Sequence, residues 1–159
     1  RDYYASRGLG DVYKRQAEDL RSNAEKHGIT ITVDTKTAVI NGNRNQIYEL
    51  IYNLCDNAIR YNRENGSVKI ITGDDNEHPF VKVADTGIGI APEEQGKVFE
   101  RFYRVDKSRS KARGGTGLGL AIVKHAALYH HATLDLSSEL GVGTTITVTF
   151  PIQQDEPFA

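Results

Sequence analysis

Three polar side chains on one predicted helix have the types and spacing that suit a phosphate-bearing ligand. In the segment 43–61, apolar residues recur at the spacing of one helical face, which predicts a helix with a buried side and an N-cap at Asn43. Asn53, Asn57 and Arg60 lie on a strip beside that face, since successive residues turn by about 100°. Amide oxygens suit a hard cation and a guanidinium suits phosphate, so the strip could bind a magnesium polyphosphate. A polar helix edge without any ligand explains the same residues equally well.

Two glycine-rich runs follow this helix. In the first, Asp85, Gly87 and Gly89 come where a predicted buried strand ends. A carboxylate there can accept a hydrogen bond from an exocyclic amine, and the glycines would let a flat ring approach the backbone. Asp-x-Gly also forms ordinary turns, and that alternative stays open. The second run, 114–120, opens directly into a predicted helix, whose first amides suit an anion. A flexible loop would explain these glycines but not the helix that begins among them.

The segment 97–113, between the two runs, carries seven basic residues interleaved with aromatic ones. We interpret it as a hinged lid whose cations close over a polyphosphate. Basic and aromatic residues together can also bind single-stranded nucleic acid. Glu100 and Asp106 interrupt this stretch, and the whole chain has a net charge of -1, so we expect no nucleic-acid partner.

The composition is that of a soluble globular domain. Of 159 residues, 38% are hydrophobic and 26% are charged, which are the proportions of a folded protein rather than of a disordered one. The apolar runs are too short to cross a bilayer, so we expect this fragment to make no membrane contact. With Cys55 as the single cysteine, no internal disulfide can form, which fits a reducing, cytoplasmic setting.

The elements that must position these residues come in clusters, without the strict alternation of strand and helix that builds an all-parallel sheet. They therefore predict a two-layer α/β sandwich, a mixed sheet with helices on one face. We expect 1–16 to be a flexible or non-native arm, 17–151 the domain, and 152–159 a C-terminal tail. The predicted elements are a helix from Ala17 ended by Gly28, strands at 29–33 and 38–41, the helix 43–61, strands at 68–72 and 80–84 around a polar turn at 74–77, a helix from Thr116 to about Tyr129, and strands at 134–136 and 146–150 around a turn at 141–143.

Four motifs, in this order and spacing, resemble those of sensor histidine kinases. They are 53–61, which resembles the N box, 85–89 the G1 box, 99–103 the F box and 115–120 the G2 box. The likeness extends to the closing segment 143–146. It implies the Bergerat-type ATP-binding fold of the GHKL superfamily, shared with DNA gyrase and MutL, with an ATP lid. The whole run is most similar to the phosphate-responsive PhoR type.

The resemblance implies a Mg-ATP site. Asn57 would be the main magnesium ligand, supported by Asn53, and Asp85 would accept a hydrogen bond from the adenine amine. Ala132 stands at a helix end where the family commonly has glycine, which puts only that cap in doubt. The other positions implied to face the nucleotide are Arg60, Tyr61, Gly87, Gly89, Ile90, the lid residues Arg101 and Arg104, the second-run residues Thr116, Gly117, Leu118, Gly119 and Leu120, and Thr145 through a water-mediated contact.

The function implied is that of the catalytic ATP-binding domain of a two-component sensor histidine kinase. Such a domain binds Mg-ATP and transfers the γ-phosphate to a histidine on a separate dimerisation domain, with a response regulator as an indirect partner. None of the five histidines stands in a His-Glu-Leu-Arg-Thr-Pro-like motif, and His125, His130 and His131 are interpreted as surface or cap residues. The fragment is expected to be the cytoplasmic, soluble part of a membrane-anchored sensor.

Two alternatives remain open beside the kinase. One is a degenerate domain that holds ATP only to transmit conformation through its lid. The other is an ATP-hydrolysing machine like gyrase or MutL. In those hydrolysing relatives a glutamate occupies the first N-box position, where this chain has Asn53, so we assign no general base within the chain.

Overall fold

The fold is a mixed sheet backed by helices. The computed structural model describes residues 3–5, 19–36, 39–103 and 118–153, and of 3–5 the backbone only. The elements in chain order are β1 (Tyr3–Ala5), α1 (19–26), β2 (Thr30–Thr35), β3 (Val39–Asn41), α2 (Arg44–Arg60), β4 (Ser67–Asp75), β5 (His78–Asp85), a short 3-10 helix (Pro92–Glu94), α3 (Gly119–Tyr129), β6 (Thr133–Glu139) and β7 (Gly143–Thr149).

The sheet has five strands in the order β2-β4-β5-β7-β6, and β1 pairs separately with β3. β2 runs parallel to β4, and the other neighbours in the five-stranded sheet are antiparallel. The hairpin between β4 and β5 turns on Asn76 and Glu77 alone, both with positive φ (51° and 68°). This is the geometry of a tight two-residue hairpin turn. The predicted turn at 74–77 was therefore too wide, since its first two residues pair within the ladder.

One face of the sheet forms the core with α2 and α3. Strand residues that share this face are buried, among them Val68, Ile70, Val83 and Val148. The side chains between them on the same strands are less buried and include lysines and threonines. α2 contacts β4, β5 and α3, and α3 also contacts β6. This arrangement confirms the predicted α/β two-layer sandwich with its helices on one face.

α2 is the central element, and its predicted bounds are confirmed. Asn43 is the N-cap, and its Oδ1 accepts a hydrogen bond of 3.0 Å from the Gln46 amide. The buried face consists of the predicted apolar residues together with two neighbours: Ile47, Leu50, Ile51, Leu54, Cys55, Ala58 and Ile59. Because this face fixes the rotation of the helix, it also fixes which polar side chains lie at its edge.

His130 joins the end of α3 to the start of α2. The Asn43 amide donates to His130 Nε2 at 2.9 Å, so Nδ1 carries the hydrogen and donates to the Ala126 carbonyl at 2.8 Å. The ring is buried and lies edge-on to Phe150, with centroids 5.9 Å apart. His130 is thus a cap residue, as predicted, and no group of histidines, cysteines and carboxylates in the described ranges could hold a metal.

α3 differs from its prediction at its start but not at its end. It begins at Gly119, with Leu118 as N-cap, rather than at Thr116. At the far end His131 takes a left-handed conformation (φ 56°), and the Ala132 amide donates to the Ala127 carbonyl at 2.8 Å. The residue in the left-handed conformation is His131, the one before Ala132. The helix therefore closes in the usual way although alanine stands where glycine is common.

Both chain ends have described residues that lie on β3. Tyr3–Ala5, within the segment expected to be an arm, pair with β3 as a strand, and 6–18 lie outside the described residues. From the expected tail, Gln153 accepts a hydrogen bond of 2.7 Å from the Asn41 amide through its Oε1, and 154–159 are likewise outside. Within the described residues, the helices are too short or too polar to traverse a bilayer.

Candidate nucleotide-binding site

Asp85 is the most constrained carboxylate of the site. It ends β5 on the core face of the sheet, and its Oδ1 accepts hydrogen bonds from the Gly87 amide (2.8 Å) and the Thr144 amide (3.2 Å). Burial raises the pKa of Asp85 to about 6, against the lowering effect of these two hydrogen bonds. A carboxylate held in this way, with one oxygen fixed by backbone amides, is a pre-positioned hydrogen-bond acceptor.

Gly87 and Gly89 are glycines because protein backbone fills the space beside them. A Cβ on Gly87 would lie 2.9 Å from Asp85 Oδ1 and would overlap the Tyr61 carbonyl. Gly89 has φ 73°, and a Cβ there would lie 2.8 Å from Leu140 Cα. The missing side chains thus make room for neighbouring backbone, and the approach of a flat ring to these glycines stays a prediction.

Thr145 is not brought to the site. It pairs with Ala84 in β5 and with Ser137 in β6, one residue away from the pairing of Asp85 with Thr144. Because side chains alternate across a strand, Thr145 lies on the opposite face of the sheet from Asp85. The predicted contact at Thr145 is therefore wrong by one residue, and Thr144 occupies the position beside the carboxylate.

Thr144 belongs to a hydroxyl pair that sequence reasoning missed. Thr144 Oγ1 and Ser138 Oγ are 2.8 Å apart, and Ser138 Oγ also accepts a hydrogen bond of 2.8 Å from the Ile90 amide. Ile90 itself is buried, as suits the wall of a site. The pairing of β6 with β7 across the sheet places these groups together, and no local sequence signal shows it.

Asn62 is a second residue that the sequence did not single out. It is fully buried directly after α2, and its Nδ2 donates to the Ser67 carbonyl at 2.9 Å. Its Oδ1 accepts from the Arg63 amide (2.9 Å) and from the Thr86 hydroxyl (3.3 Å). A polar residue after a helix looks like an ordinary turn residue in sequence, but here it joins the helix end to β4 and to the turn after Asp85.

The other end of the candidate site lies where α2 meets the start of α3. Asn53 Nδ2 donates to the Glu49 carbonyl at 2.8 Å, which directs Oδ1 away from the backbone. A Cβ on Gly119 would lie 3.2 Å from that Oδ1, so the structure brings α2 close to the last part of the second glycine run. Asn57 follows one turn after Asn53 and is half-buried. Leu120 is buried in the core, so its side chain serves packing.

Arg60 has a partner on its own helix. Its Nε donates to Asp56 Oδ2 at 2.7 Å, and both side chains are at least two-thirds buried. The helical wheel predicts that Asn53, Asn57 and Arg60 form one strip. In the structure the Arg60 guanidinium is instead directed one turn back, toward Asp56. Tyr61, the C-cap of α2, contributes its carbonyl, which accepts a hydrogen bond of 3.1 Å from the Ile88 amide.

The predicted lid is described only at its edges. Phe99 and Tyr103 pack against the core, while Phe102 is 64% exposed and has φ 66°. The Arg101 guanidinium lies 5.5 Å from the centre of the Phe102 ring. Three predicted site residues lie outside the described residues, namely Arg104, Thr116 and Gly117. Their roles stay predictions.

The class of this domain follows from comparison with known families. Residues 42–154 match the family of histidine kinase-, DNA gyrase B- and HSP90-like ATPases. The match covers more than half of the chain, so the chain belongs to this family. It is an ATP-binding domain of the histidine kinase type, as the four motifs predicted.

Curated relatives are sensor kinases. Sensor histidine kinase RppB of Synechocystis is 46% identical over 146 residues, which cover 91% of this chain and 32% of the relative. Sensor-like histidine kinase SenX3 of Mycolicibacterium smegmatis is 44% identical over 83% of this chain and 35% of its own. The phosphate regulon sensor protein PhoR of Pseudomonas aeruginosa is 42% identical over 76% of this chain and 27% of its own. The chain thus spans about a third of the length of these relatives.

Solved structures share the fold. The mycobacterial sensor histidine kinase MprB superposes with a TM-score of 0.79 at 28% identity, covering 94% of this chain and 97% of that one. Full-length ShkA, solved in complex with AMPPNP, gives a TM-score of 0.77 at 26% identity, covering 92% of this chain and 30% of that one.

Proposed function

We propose that this chain is the catalytic domain of a two-component sensor histidine kinase, which binds Mg-ATP and transfers the γ-phosphate to a histidine on a separate dimerisation domain. The observation that carries the proposal is the environment of Asp85. Its carboxylate is buried, held by two backbone amides, and lies on the helix-facing side of the sheet. Such an acceptor suits the exocyclic amine of adenine and leaves guanine, which has a carbonyl oxygen in that place, without a partner.

The residues present fit a magnesium ion that is bound mainly through the nucleotide. Asn57 and Asn53 offer amide oxygens, and the hydrogen bond from Asn53 Nδ2 to the backbone leaves its Oδ1 directed outward. Two neutral oxygen donors suit Mg²⁺, which keeps several waters and binds substrate phosphates, and the part of the chain that the structure describes adds no cluster of three or more histidines, cysteines or carboxylates as a competing metal site. When bound, the ion would neutralise phosphate charge. The role of this chain is to hold the triphosphate where the start of α3 lies beside α2.

Phosphate transfer is favoured over hydrolysis by the residues of α2. Asn53 stands where hydrolysing relatives have a glutamate, and an amide cannot take a proton from an attacking water. Asp56, on the same helix, is engaged with Arg60 at 2.7 Å. Asp56, the carboxylate beside Asn57 in the sequence, is therefore engaged within the helix rather than directed as a base.

The partners follow from the reaction. A helical dimerisation domain would supply the acceptor histidine, and a response regulator would receive the phosphate in turn. We infer that the chain is the cytoplasmic part of a membrane-anchored sensor, in line with the sensor kinases that it resembles.

A direct phosphotransfer assay tests the proposal. The chain is mixed with a helical domain that bears the acceptor histidine, together with γ-labelled ATP and Mg²⁺. We expect acid-labile phosphate on the helical domain and none when its histidine is replaced by glutamine. Asp85→Asn in this chain should reduce the labelling at limiting ATP. Steady release of inorganic phosphate with no label on histidine would instead support the hydrolysing alternative.

A further inference from the structure

One arginine that the nucleotide motifs do not include contacts the turn after Asp85. Arg63 stands three residues beyond α2, and its Nε donates to the Thr86 carbonyl at 2.6 Å. Its Nη2 donates to the Gly87 carbonyl at 3.2 Å and to the Gly141 carbonyl, in the turn between β6 and β7, at 2.6 Å. One guanidinium thus joins the end of α2, the turn after Asp85 and a second turn from across the sheet.

The first of these contacts acts on the peptide group that holds Asp85. The Thr86 carbonyl and the Gly87 amide belong to one peptide unit. Its oxygen accepts from Arg63, and its N–H donates to Asp85 Oδ1 at 2.8 Å. A planar peptide bonded at both ends cannot rotate without breaking one of the two bonds. A charged donor on the oxygen also polarises the unit, which strengthens the N–H as a donor to the carboxylate.

The next peptide unit is held in the same way. The Gly87 carbonyl accepts from Arg63, and the Ile88 amide in the same unit donates to the Tyr61 carbonyl at 3.1 Å. The Gly141 amide donates to the Ile88 carbonyl at 2.8 Å, so the second turn is tied to the first by backbone as well. A single side chain therefore bonds the oxygens of two consecutive peptide groups whose N–H groups are held by Asp85 and by the Tyr61 carbonyl.

We propose that Arg63 is a positioning residue for adenine recognition, which orients the Thr86–Gly87 peptide and through it the carboxylate of Asp85. This inference rests on the proposed role of Asp85 toward adenine. Arginine suits the task because its planar fork reaches several carbonyls at fixed angles, whereas a lysine ammonium is a single point charge on a flexible stem. The hydrogen bonds of Arg63 go to backbone carbonyls and not to Asp85 itself, so its effect on the carboxylate passes through the peptide group.

The test compares two nucleotides that differ only at the amine. Affinities of the 159-residue chain for Mg-ATP and for the Mg complex of purine riboside triphosphate, which lacks the amine, are measured by calorimetry. We expect Arg63→Met to weaken ATP binding by about tenfold, which is typical for loss of charge-assisted hydrogen bonds, and to leave the analogue nearly unchanged. Arg63→Lys should lie between, at about threefold. Arg21→Met, which removes an exposed arginine on α1, is the matched control and should change neither.

Two further readouts separate positioning from a merely structural role. In the Asp85→Asn background, Arg63→Met should have no further effect on ATP binding, because the carboxylate that it positions is gone. In the single variant Arg63→Met, the pH at which ATP binding is half lost should rise, since the Gly87 hydrogen bond that lowers the pKa of Asp85 is weakened.

The outcomes are distinct. Equal weakening of both nucleotides by Arg63→Met would overturn the inference and assign Arg63 to the fold or to the phosphates. If instead the unmodified chain binds ATP and purine riboside triphosphate equally well, the role of Asp85 toward adenine fails, whatever Arg63 does.

Discussion

The two ends of the candidate site differ in how firmly the protein holds them. At the adenine end, Asp85 and the turn after it are bonded to α2, to β7 and to the turn between β6 and β7. At the phosphate end, Asn53 makes one hydrogen bond to backbone, and the Asn57 side chain makes none within the described residues. Arg101 and Phe102, at the edge of the lid, are exposed.

This difference matches the tasks that we propose for the two ends. Adenine does not change during a reaction cycle, so a rigid hydrogen-bond acceptor can bind it throughout and improves selectivity. The terminal phosphate must leave, and groups that bind it have to release it, so amide oxygens without fixed protein partners are suited to that end. The adenine end should therefore respond to mutation through affinity, and the phosphate end through the rate of transfer.

The largest expected effect concerns water as a phosphate acceptor. Because Asn53 replaces the glutamate of the hydrolysing relatives, the isolated chain should hydrolyse ATP about 10² to 10⁴ times more slowly than a domain with a glutamate at position 53. Turnover of the purified chain, measured by release of inorganic phosphate, checks this. Sustained hydrolysis near one per second, abolished by Asn57→Ala and unaffected by an added acceptor domain, would contradict the kinase proposal.

The next effect separates the two ends directly. Asn57→Ala removes a proposed magnesium ligand and should lower phosphotransfer to an acceptor domain by about 10² to 10³. Affinity for AMP, which lacks the terminal phosphates, should stay within about twofold, because the hydrogen bonds that hold Asp85 come from Gly87 and Thr144 and not from Asn57. A parallel loss of AMP binding would show that the two ends are not independent.

Base selectivity is the corresponding test of the adenine end. An unpaired buried acceptor costs about 1 to 3 kcal/mol, so ATP should bind at least about tenfold more tightly than GTP. Asp85→Asn should remove most of this preference. The Gly87 and Thr144 amides would hold the Asn oxygen, so its N–H₂ would face the base, where it can donate to the guanine carbonyl but cannot accept from the adenine amine. Titration calorimetry with both nucleotides measures it, and equal affinities in the unmodified chain would rule out the role of Asp85.

The sequence predicts the phosphate end of the site better than the adenine end. The bounds of α2, its cap at Asn43 and its buried face follow from local periodicity, which needs no knowledge of the sheet. The structure brings Asn53 close to Gly119, and the roles of both residues toward phosphate stay predictions. The i, i+4 spacing of Asp56 and Arg60 allows their ion pair, but the spacing alone does not say whether Arg60 forms it or turns to a ligand.

At the adenine end the decisive facts depend on pairing between strands distant in sequence. In the register of β5 with β7, Asp85 pairs with Thr144 and Ala84 pairs with Thr145. A difference of one residue in this register therefore decides which threonine lies beside the carboxylate. A shift by one residue moves every side chain of a strand to the other face, so motif likeness alone cannot decide it. Asn62 and Arg63 were missed for a similar reason, because their partners come from β4 and from turns far along the chain.

The smallest effect is a pH dependence confined to the adenine end. Burial raises the pKa of Asp85 from 3.8 to about 6, so the folded protein holds the proton more tightly than the unfolded chain does. Protonation of Asp85 therefore favours the folded state at low pH, and that contribution is lost as pH rises from about 4 through about 6.

Binding of adenine has the opposite dependence on pH, because the amine needs the ionised carboxylate. ATP affinity should halve near pH 6 and fall by up to about tenfold at pH 5, where about a tenth of Asp85 is ionised. The phosphates of ATP titrate in the same range, so purine riboside triphosphate serves as the reference at each pH. The ratio of the two affinities isolates Asp85, and it should become independent of pH in Asp85→Asn. A ratio that stays constant from pH 5 to pH 8 in the unmodified chain would show that the carboxylate does not meet the base, and that the rigid end of the site serves the fold rather than recognition.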